Sequence, residues 1–187
     1  MKHLLALLLL VAALAFAPRA EAFSLSLEPS TQTISVGDSA TYTLRAIGVA
    51  EPIIFYTLNI TFDSKVIAFQ AADFLSGQDT TFLDNSFADV GFLGLLGTWG
   101  NGSTGSNVNL ANLTFIGTGL GTSGIDIAFD PTDTTNPINP FFISVNSLLE
   151  IDSITNAQAT VVPEPSTIFL LGAGFLALGA AARRRRG

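Results

Sequence analysis

Short alternations of apolar and polar residues fill the middle of the chain and predict strands rather than helices. The clearest case is segment 55–62, in which every second residue is large and apolar: Tyr56, Leu58, Ile60 and Phe62. In a strand, this spacing places the four side chains on one face, which we expect to be buried. The segment therefore predicts a strand that contributes to a hydrophobic core.

Similar patterns recur between turn signals along the rest of the central region. The predicted strands cover 24–27, 33–36, 40–46, 55–62, 66–69, 90–96, 95–99, 109–116, 125–129, 143–145 and 158–162. Residues 101–106, which consist of Asn, Gly, Ser and Thr, are typical of a loop. About eight to ten short strands with frequent turns predict an all-β fold, an antiparallel two-sheet sandwich of the jelly-roll type.

Two apolar runs at the ends of the chain depart from this pattern. Near the N-terminus, Lys2 and His3 precede the apolar stretch 4–17, and Ala20-Glu21-Ala22 has the small-x-small pattern of a cleavage site. This order is typical of a secretory signal peptide. We therefore expect signal peptidase to cut after Ala22, so that the mature protein begins at Phe23.

The C-terminal run, residues 166–182, is 17 residues long and carries no charge. This length is close to that of a transmembrane helix. The run is followed by four arginines, which predict a cytoplasmic C-terminus: Arg183, Arg184, Arg185 and Arg186. Directly before the run stand Val162, Pro163, Glu164 and Pro165.

The order of Pro-Glu-Pro, apolar run and basic cluster resembles the PEP-CTERM sorting signal of bacteria that export polysaccharide. The resemblance implies recognition of Val162–Pro165 by exosortase, a membrane protease-like enzyme that cuts near the motif. The protein would be exported, tethered to the membrane through its C-terminal helix, and then released to the cell surface or the extracellular matrix.

These signals divide the chain into five predicted parts. A signal peptide covers 1–22, a β-sandwich 23–153, a linker with the sorting motif 154–166, a transmembrane helix 166–182 and a cytoplasmic basic tail 183–187. The linker is predicted from its Thr, Pro and Ser content. The sandwich is thus flanked by an N-terminal signal helix and a C-terminal transmembrane helix.

Charge and composition narrow the function further. Residues 23–161 contain 13 acidic residues and only two basic ones, Arg45 and Lys65, so the net charge of this region is −11. Such a surface repels the phosphates of nucleic acids, and we expect no nucleic-acid partner. The chain has no cysteine, and its one histidine, His3, lies in the signal peptide. The mature protein therefore lacks Ser-His-Asp and Cys-His machinery and any histidine-ligated metal.

Three segments together resemble the cohesin domain and its carbohydrate-binding relatives. They are 34–42, a strand, Gly-Asp turn and strand; 58–69, a strand followed by Asp-Ser-Lys-Val-Ile-Ala-Phe; and 110–115 followed by 125–127. The resemblance implies a non-catalytic module that binds polysaccharide or a surface protein. The Phe-rich stretch 73–98 has no counterpart in this pattern.

Two candidate sites remain. Asp126, Asp130 and Asp133 could supply oxygen ligands to Ca²⁺, although Asp and Asn also form turns without any metal. No other cofactor is expected. Trp99, with Gly97 and Gly100 beside it, is expected in a loop, where its ring could stack on a sugar.

The sequence as a whole predicts an exported, non-enzymatic binding sandwich. Two alternatives stay open: a glycoside hydrolase that uses only carboxylates, and a purely structural matrix protein.

Overall fold

The computed structural model describes residues 22–75, 77–128, 140–144 and 148–184. The predicted signal peptide, apart from Ala22, lies outside the described residues. The described strands are β1 Ala22–Glu28, β2 Thr31–Ser35, β3 Ser39–Phe62, β4 Ile67–Phe74, β5 Thr80–Asp84, β6 Phe92–Gly117, β7 Gly121–Ala128, β8 Phe141–Ser144, β9 Glu150–Thr155 and β10 Ala157–Val162. A short 3-10 turn at Ala88–Val90 and helix α1, Pro165–Arg184, complete the described elements.

Two long, bent strands organise the fold. β3 has 24 residues and β6 has 26. The first part of β3 pairs with the end of β6, from Ser39 opposite Ile116, whereas its last part pairs with the start of β6, up to Thr61 opposite Phe92. The pairing is irregular between Val49 and Phe55. Each strand therefore runs through one sheet, bends, and continues in a second sheet.

We call the two layers sheet A and sheet B. Sheet A contains β9, β1, residues 39–49 of β3, residues 105–117 of β6 and β4, in that order. Sheet B contains, in this order, β2, β10, β7, residues 53–62 of β3, residues 92–103 of β6, and finally β5. β8 pairs with the same edge of β3 as β7 does. The two-sheet sandwich predicted from the sequence is confirmed, although two of its pairings, β1 with β9 and β10 with β2, are parallel.

The bend of β6 depends on glycine. Gly102 has a φ angle of 72°, which is a conformation that residues with a Cβ rarely adopt. A Cβ at this position would also overlap the side chain of Pro52 in β3. The predicted loop at 101–106 is therefore wrong: its Gly and Ser residues let β6 bend while Ser103 and Gly105 still pair with β3.

The inner faces of the sheets form one core. Tyr56, Leu58 and Ile60 are fully buried and Phe62 is 9% exposed, which confirms the face predicted from alternation. Rings of opposite sheets meet edge to face, with centroid distances of 5.1 Å between Phe62 and Phe115 and 4.9 Å between Phe142 and Phe23. Such pairs stabilise a core beyond the area that they bury.

The predicted linker is wrong in its first part, whereas the strand predicted at 158–162 is confirmed. β9 and β10 occupy Glu150–Thr155 and Ala157–Val162, and Ala157, Ala159 and Val161 are buried. β10 lies between β7 and β2, so its backbone is paired on both sides. The sandwich therefore extends to Val162, nine residues beyond the predicted boundary at 153.

Helix α1 follows β10 closely. Only Pro163 and Glu164 separate the last residue of β10 from the first residue of α1. Its described large apolar side chains are exposed: Phe169, Leu170, Leu171, Phe175 and Leu176. Within the described residues, we find no helix of the length and apolarity needed to cross a membrane. The transmembrane span at 166–182 stays a prediction.

Candidate functional site

Trp99, the predicted sugar contact, lies in the core. It belongs to β6, not to a loop, and is 6% exposed. Its ring is 5.5 Å from the Tyr56 ring, which in turn stacks on Phe142 at 5.6 Å. A stacking platform for a sugar needs an exposed ring face, which Trp99 does not present. The expectation of a loop position is wrong because Trp99 continues the inward alternation of Leu93, Leu95 and Gly97.

A buried polar contact accompanies this row of rings. The Tyr56 hydroxyl donates to Gln78 Oε1 at 3.3 Å, and Gln78 Nε2 donates to the carbonyl of Leu110 at 2.7 Å. Burial raises the pKa of the Tyr56 hydroxyl, and the hydrogen bond with Gln78 lowers it in part. Gln78 thus satisfies the one polar atom that Tyr56 brings into the core, which is a structural role.

The candidate calcium ligands are only partly within the described chain. Asp126 lies in β7 and is exposed on the outer face of sheet B, opposite Thr61 of β3. Asp130 and Asp133 lie outside the described residues. No group of three His, Cys, Asp or Glu side chains in the described part of the chain could hold a metal ion. Calcium binding stays a prediction.

The outer face of sheet A is polar, and its side chains form hydrogen bonds and an ion pair with one another. Its contacts are Thr41 with Thr114 at 3.1 Å, Thr43 Oγ1 to Asn112 Oδ1 at 2.8 Å, Ser39 Oγ to Gln70 Oε1 at 3.0 Å, Ser153 Oγ to Ser24 Oγ at 2.8 Å, and the Arg45–Glu28 ion pair at 2.6 Å. Because these groups already have partners, a ligand would have to replace existing hydrogen bonds to bind there.

The outer face of sheet B is different. Phe82 of β5 is 59% exposed and stands opposite Leu96 of β6. The next outward row contains Phe55 of β3 opposite Ile143 of β8, and Leu96, Phe55 and Ile143 are all partly exposed. We call these four residues the apolar face. A contiguous apolar cluster on a protein surface marks an interaction site more often than isolated apolar residues do.

Acidic side chains border the apolar face. Asp84, in the same strand as Phe82, accepts a hydrogen bond at 3.0 Å from the Ser86 amide. Hydrogen bonds from Ser86 lower the pKa of Asp84, so this carboxylate is charged at neutral pH. Asp79 accepts a hydrogen bond from the Gly100 amide, and Asp126 lies on the β7 side. The face therefore suits a partner with an apolar centre and basic residues around it.

The apolar face was not predicted from the sequence, because β5 lies in the Phe-rich stretch 73–98, which has no counterpart in the cohesin pattern. One signal was present: in Thr80–Asp84 the outward positions include Phe82, and the next residue, Leu83, packs on the core. The alternation alone could have identified a strand, but not which of its faces looks outward.

The sorting motif adjoins the sandwich. Val162, Pro163 and Glu164 are exposed, and Pro165 begins α1. Arg183 and Arg184 occupy the last turn of α1, where positive charge also complements the helix dipole. Arg185, Arg186 and the cleavage-site residue Ala20 lie outside the described residues, whereas Ala22 is the first residue of β1.

Comparison with known proteins supports both resemblances. Residues 161–186 match the PEP-CTERM protein-sorting motif, which implies an exported protein. A search of curated proteins finds no match.

Solved cohesin structures share the fold. A type I cohesin–dockerin complex from Clostridium thermocellum contains a chain with a TM-score of 0.62 at 15% identity, covering 79% of this chain and 99% of that one. The cohesin CaCohA2 from Clostridium acetobutylicum gives 0.60 at 18%, covering 74% and 91%. A non-cellulosomal cohesin from the archaeon Archaeoglobus fulgidus gives 0.58 at 11%, covering 79% and 96%. The fold of the sandwich is therefore that of a cohesin module.

Proposed function

We propose that this protein is an exported, non-catalytic binding module that recognises another surface protein through the apolar face. After signal peptidase removes residues 1–22, the C-terminal motif directs the chain to exosortase at the membrane, and the processed sandwich serves at the cell surface or in the matrix. The observation that carries the binding role is the exposure of Phe82 in the middle of a paired strand, beside Leu96.

A protein partner is favoured over polysaccharide by the kind of apolar residue present. The single tryptophan and both tyrosines, the rings that most often serve as sugar platforms, are buried. The apolar face instead consists of two phenylalanines, a leucine and an isoleucine, and the buried centre of protein interfaces is apolar and enriched in aromatic residues. The similar cohesin from Clostridium thermocellum is itself found in complex with a protein, a dockerin.

A non-catalytic role is supported by the residues available. The mature region has neither histidine nor cysteine. A glycosidase would need two carboxyl groups about 5–10 Å apart in a cleft. Among the described acids, Glu28 is paired with Arg45 on sheet A, and Asp38 and Asp63 accept backbone hydrogen bonds within turns. The remaining alternatives are turnover of a glycan and self-assembly into a matrix, and both are outcomes of the test below.

The test compares Phe82→Asp with Thr41→Asp, a matched control on the polar outer face of sheet A. The wild-type mature protein should retain one surface protein at a stoichiometric ratio. We expect Phe82→Asp to weaken this binding by at least about tenfold, the effect of removing one central contact, and Thr41→Asp to leave it unchanged.

Other results would contradict the proposal. Binding of the purified extracellular polysaccharide that is lost in Phe82→Asp would identify a sugar ligand instead. Concentration-dependent dimers in sedimentation, abolished by Phe82→Asp, would identify a second copy of this chain as the occupant. Turnover of any glycan would identify an enzyme.

A further inference from the structure

The sorting motif begins inside the folded sandwich. Its first residue, Val161, is 2% exposed and pairs with Ile34 of β2 and Gly121 of β7. The carbonyl of the next residue, Val162, accepts a hydrogen bond from the Val36 amide at 3.3 Å. An enzyme that reads residues 161–186 therefore meets the first part of its motif as a strand of sheet B, unless that strand is first pulled out.

The connection to the rest of the motif is short. Two residues, Pro163 and Glu164, lie between β10 and α1. Three peptide steps, from Val162 to Pro165, reach at most about 11 Å when fully extended. An enzyme with Pro163–Pro165 in its active site must therefore be in contact with this end of the sandwich.

Three turns form that end, and we call them together the tether-end surface: 36–38, 63–66 and 117–120. Backbone hydrogen bonds join them directly. They run from Gly37 to Gly117 at 2.8 Å, from Gly117 to Asp38 at 2.9 Å, and from Thr118 to Val66 at 2.9 Å, each from amide to carbonyl. A Cβ at Gly119 would overlap the carbonyl of Lys65. These bonds join the three turns to one another next to Val162.

The surface has a distinct chemistry in an acidic domain. Leu120 is 60% exposed and Val162 is 37% exposed. Lys65, the only lysine in residues 23–161, is exposed in the neighbouring turn. The surface thus offers an apolar tip and one cation, together with the exposed carboxylates of Asp38 and Asp63, which accept hydrogen bonds from the amides of Ser35 and Lys65. The other basic residue of residues 23–161, Arg45, is paired with Glu28.

We propose that the tether-end surface is a docking surface for the enzyme that reads the sorting motif, with Leu120 and Lys65 as its contacts. The enzyme then recognises folded cargo together with Val162–Pro165, through an apolar contact and an acidic group of its own. This inference rests on the sorting part of the proposed function. In the alternative mechanism, the enzyme binds only the extended motif, and the nearby sandwich hinders its access to that motif.

The experiment follows C-terminal processing of the full chain in cells that contain the sorting enzyme, by pulse-chase and mass spectrometry of the released C-terminus. We expect the double variant Leu120→Ser with Lys65→Glu to slow processing at least about fivefold, which corresponds to the loss of about 1 kcal/mol of contact energy. The matched control is Leu148→Ser, because Leu148 is 63% exposed and lies beside β8. It should be processed at the wild-type rate, and equal melting temperatures will show that all variants are folded.

A spacer variant separates the two mechanisms. Ten Gly and Ser residues are inserted after Val162, followed by a second Val-Val pair, so that the motif stays contiguous but is no longer held at the sandwich. Docking predicts slower processing, because the surface no longer lies at a fixed distance from the motif. Unchanged or faster processing of the spacer variant, or wild-type rates in the double variant, would overturn the docking proposal.

Failure of the sorting proposal would look different. Glu164→Ala combined with Pro163→Ala should leave the C-terminus intact, whatever the state of the tether-end surface. If this motif variant is processed like the wild type, or if the wild type retains Arg183–Arg186, the sorting assignment itself is wrong.

Discussion

Replacing Trp99 with alanine tests whether this residue serves packing or ligand binding. The side chain is 6% exposed and its ring contacts Tyr56 at a centroid distance of 5.5 Å. Removing a buried tryptophan costs about 3–5 kcal/mol, part of it from the cavity that remains. Loss of the aromatic pair accounts for about 0.5–1.5 kcal/mol of that total. We therefore expect Trp99→Ala to lower the free energy of unfolding by about 4 kcal/mol, a large part of the 5–15 kcal/mol that domains typically have.

The assay is urea unfolding followed by far-ultraviolet circular dichroism, since the variant has no tryptophan left for fluorescence. With a denaturant slope of about 2 kcal/mol/M, the midpoint should fall by about 2 M. The control is Phe82→Ala, an aromatic truncation in the strand that pairs with β6. Because Phe82 is 59% exposed, its unfolding free energy should stay within about 0.5 kcal/mol of the wild type.

A loss of less than about 1 kcal/mol in Trp99→Ala would refute this reasoning, because a buried ring cannot be removed from a packed core at so small a cost. Wild-type stability combined with loss of polysaccharide binding would restore the surface role that the sequence suggested for Trp99.

Two further predictions concern buried tyrosines. Burial raises the pKa of Tyr42 to about 12 from the ordinary value of 10.0. The unfolded chain therefore releases this proton at a lower pH than the folded chain does. The contribution of Tyr42 to the free energy of unfolding should be constant below pH 10 and fall between pH 10 and 12. Melting temperatures from pH 8 to 12 should show a shallower fall in Tyr42→Phe, and identical slopes would contradict the assignment. Gly97→Ala should destabilise the sandwich by about 1–3 kcal/mol or more, since its Cβ would overlap the Tyr56 ring and Gln78; an unfolding midpoint equal to the wild type would show that the core can yield there.

Alternation predicted those parts of the fold in which one face is buried and the other is not. In segment 55–62 the four apolar residues all point inward, because β3 at this point has the core on one side only. The same pattern could not show that β3 continues from sheet A, since the bend near Pro52 and Gly102 is set by the partner strand. Pairing between distant segments is a tertiary property that local periodicity does not contain.

Composition was a poor guide where polar strands are held by their neighbours. Residues 154–166 were predicted to be a linker from their Thr, Pro and Ser content, although alternation also predicted a strand at 158–162. In the structure, β10 pairs with β7 and β2 and buries three small side chains, Ala157, Ala159 and Val161. The prediction for Trp99 was also wrong because of the composition around it. The glycines around it suggested a loop, whereas Gly97 is a core position that leaves room for Tyr56. Small residues in a strand often mark such close approach.

The two outer faces of the sandwich differ in what a partner could gain from them. On sheet A, Thr43 donates to Asn112 and Ser153 donates to Ser24, so a polar partner exchanges one set of hydrogen bonds for another and gains little. On sheet B, covering the exposed Phe82 ring removes apolar area from water, which is favourable by about 25 cal/mol per Å². This asymmetry is the reason why we propose that a partner binds to the apolar face rather than to the polar one.

The surfaces that we propose for sorting and for recognition lie in different parts of the sandwich, so each can be tested separately. The tether-end surface is formed by turns at the ends of β2, β3 and β6, whereas the apolar face lies across β5, β6, β3 and β8. Phe82→Asp should therefore weaken partner binding and leave C-terminal processing unchanged. Leu120→Ser with Lys65→Glu should slow processing and leave partner binding unchanged. If each variant impaired both readouts equally while remaining folded, one surface would have to serve both roles. Binding of the partner would then compete with the sorting enzyme, and delivery would have to precede recognition.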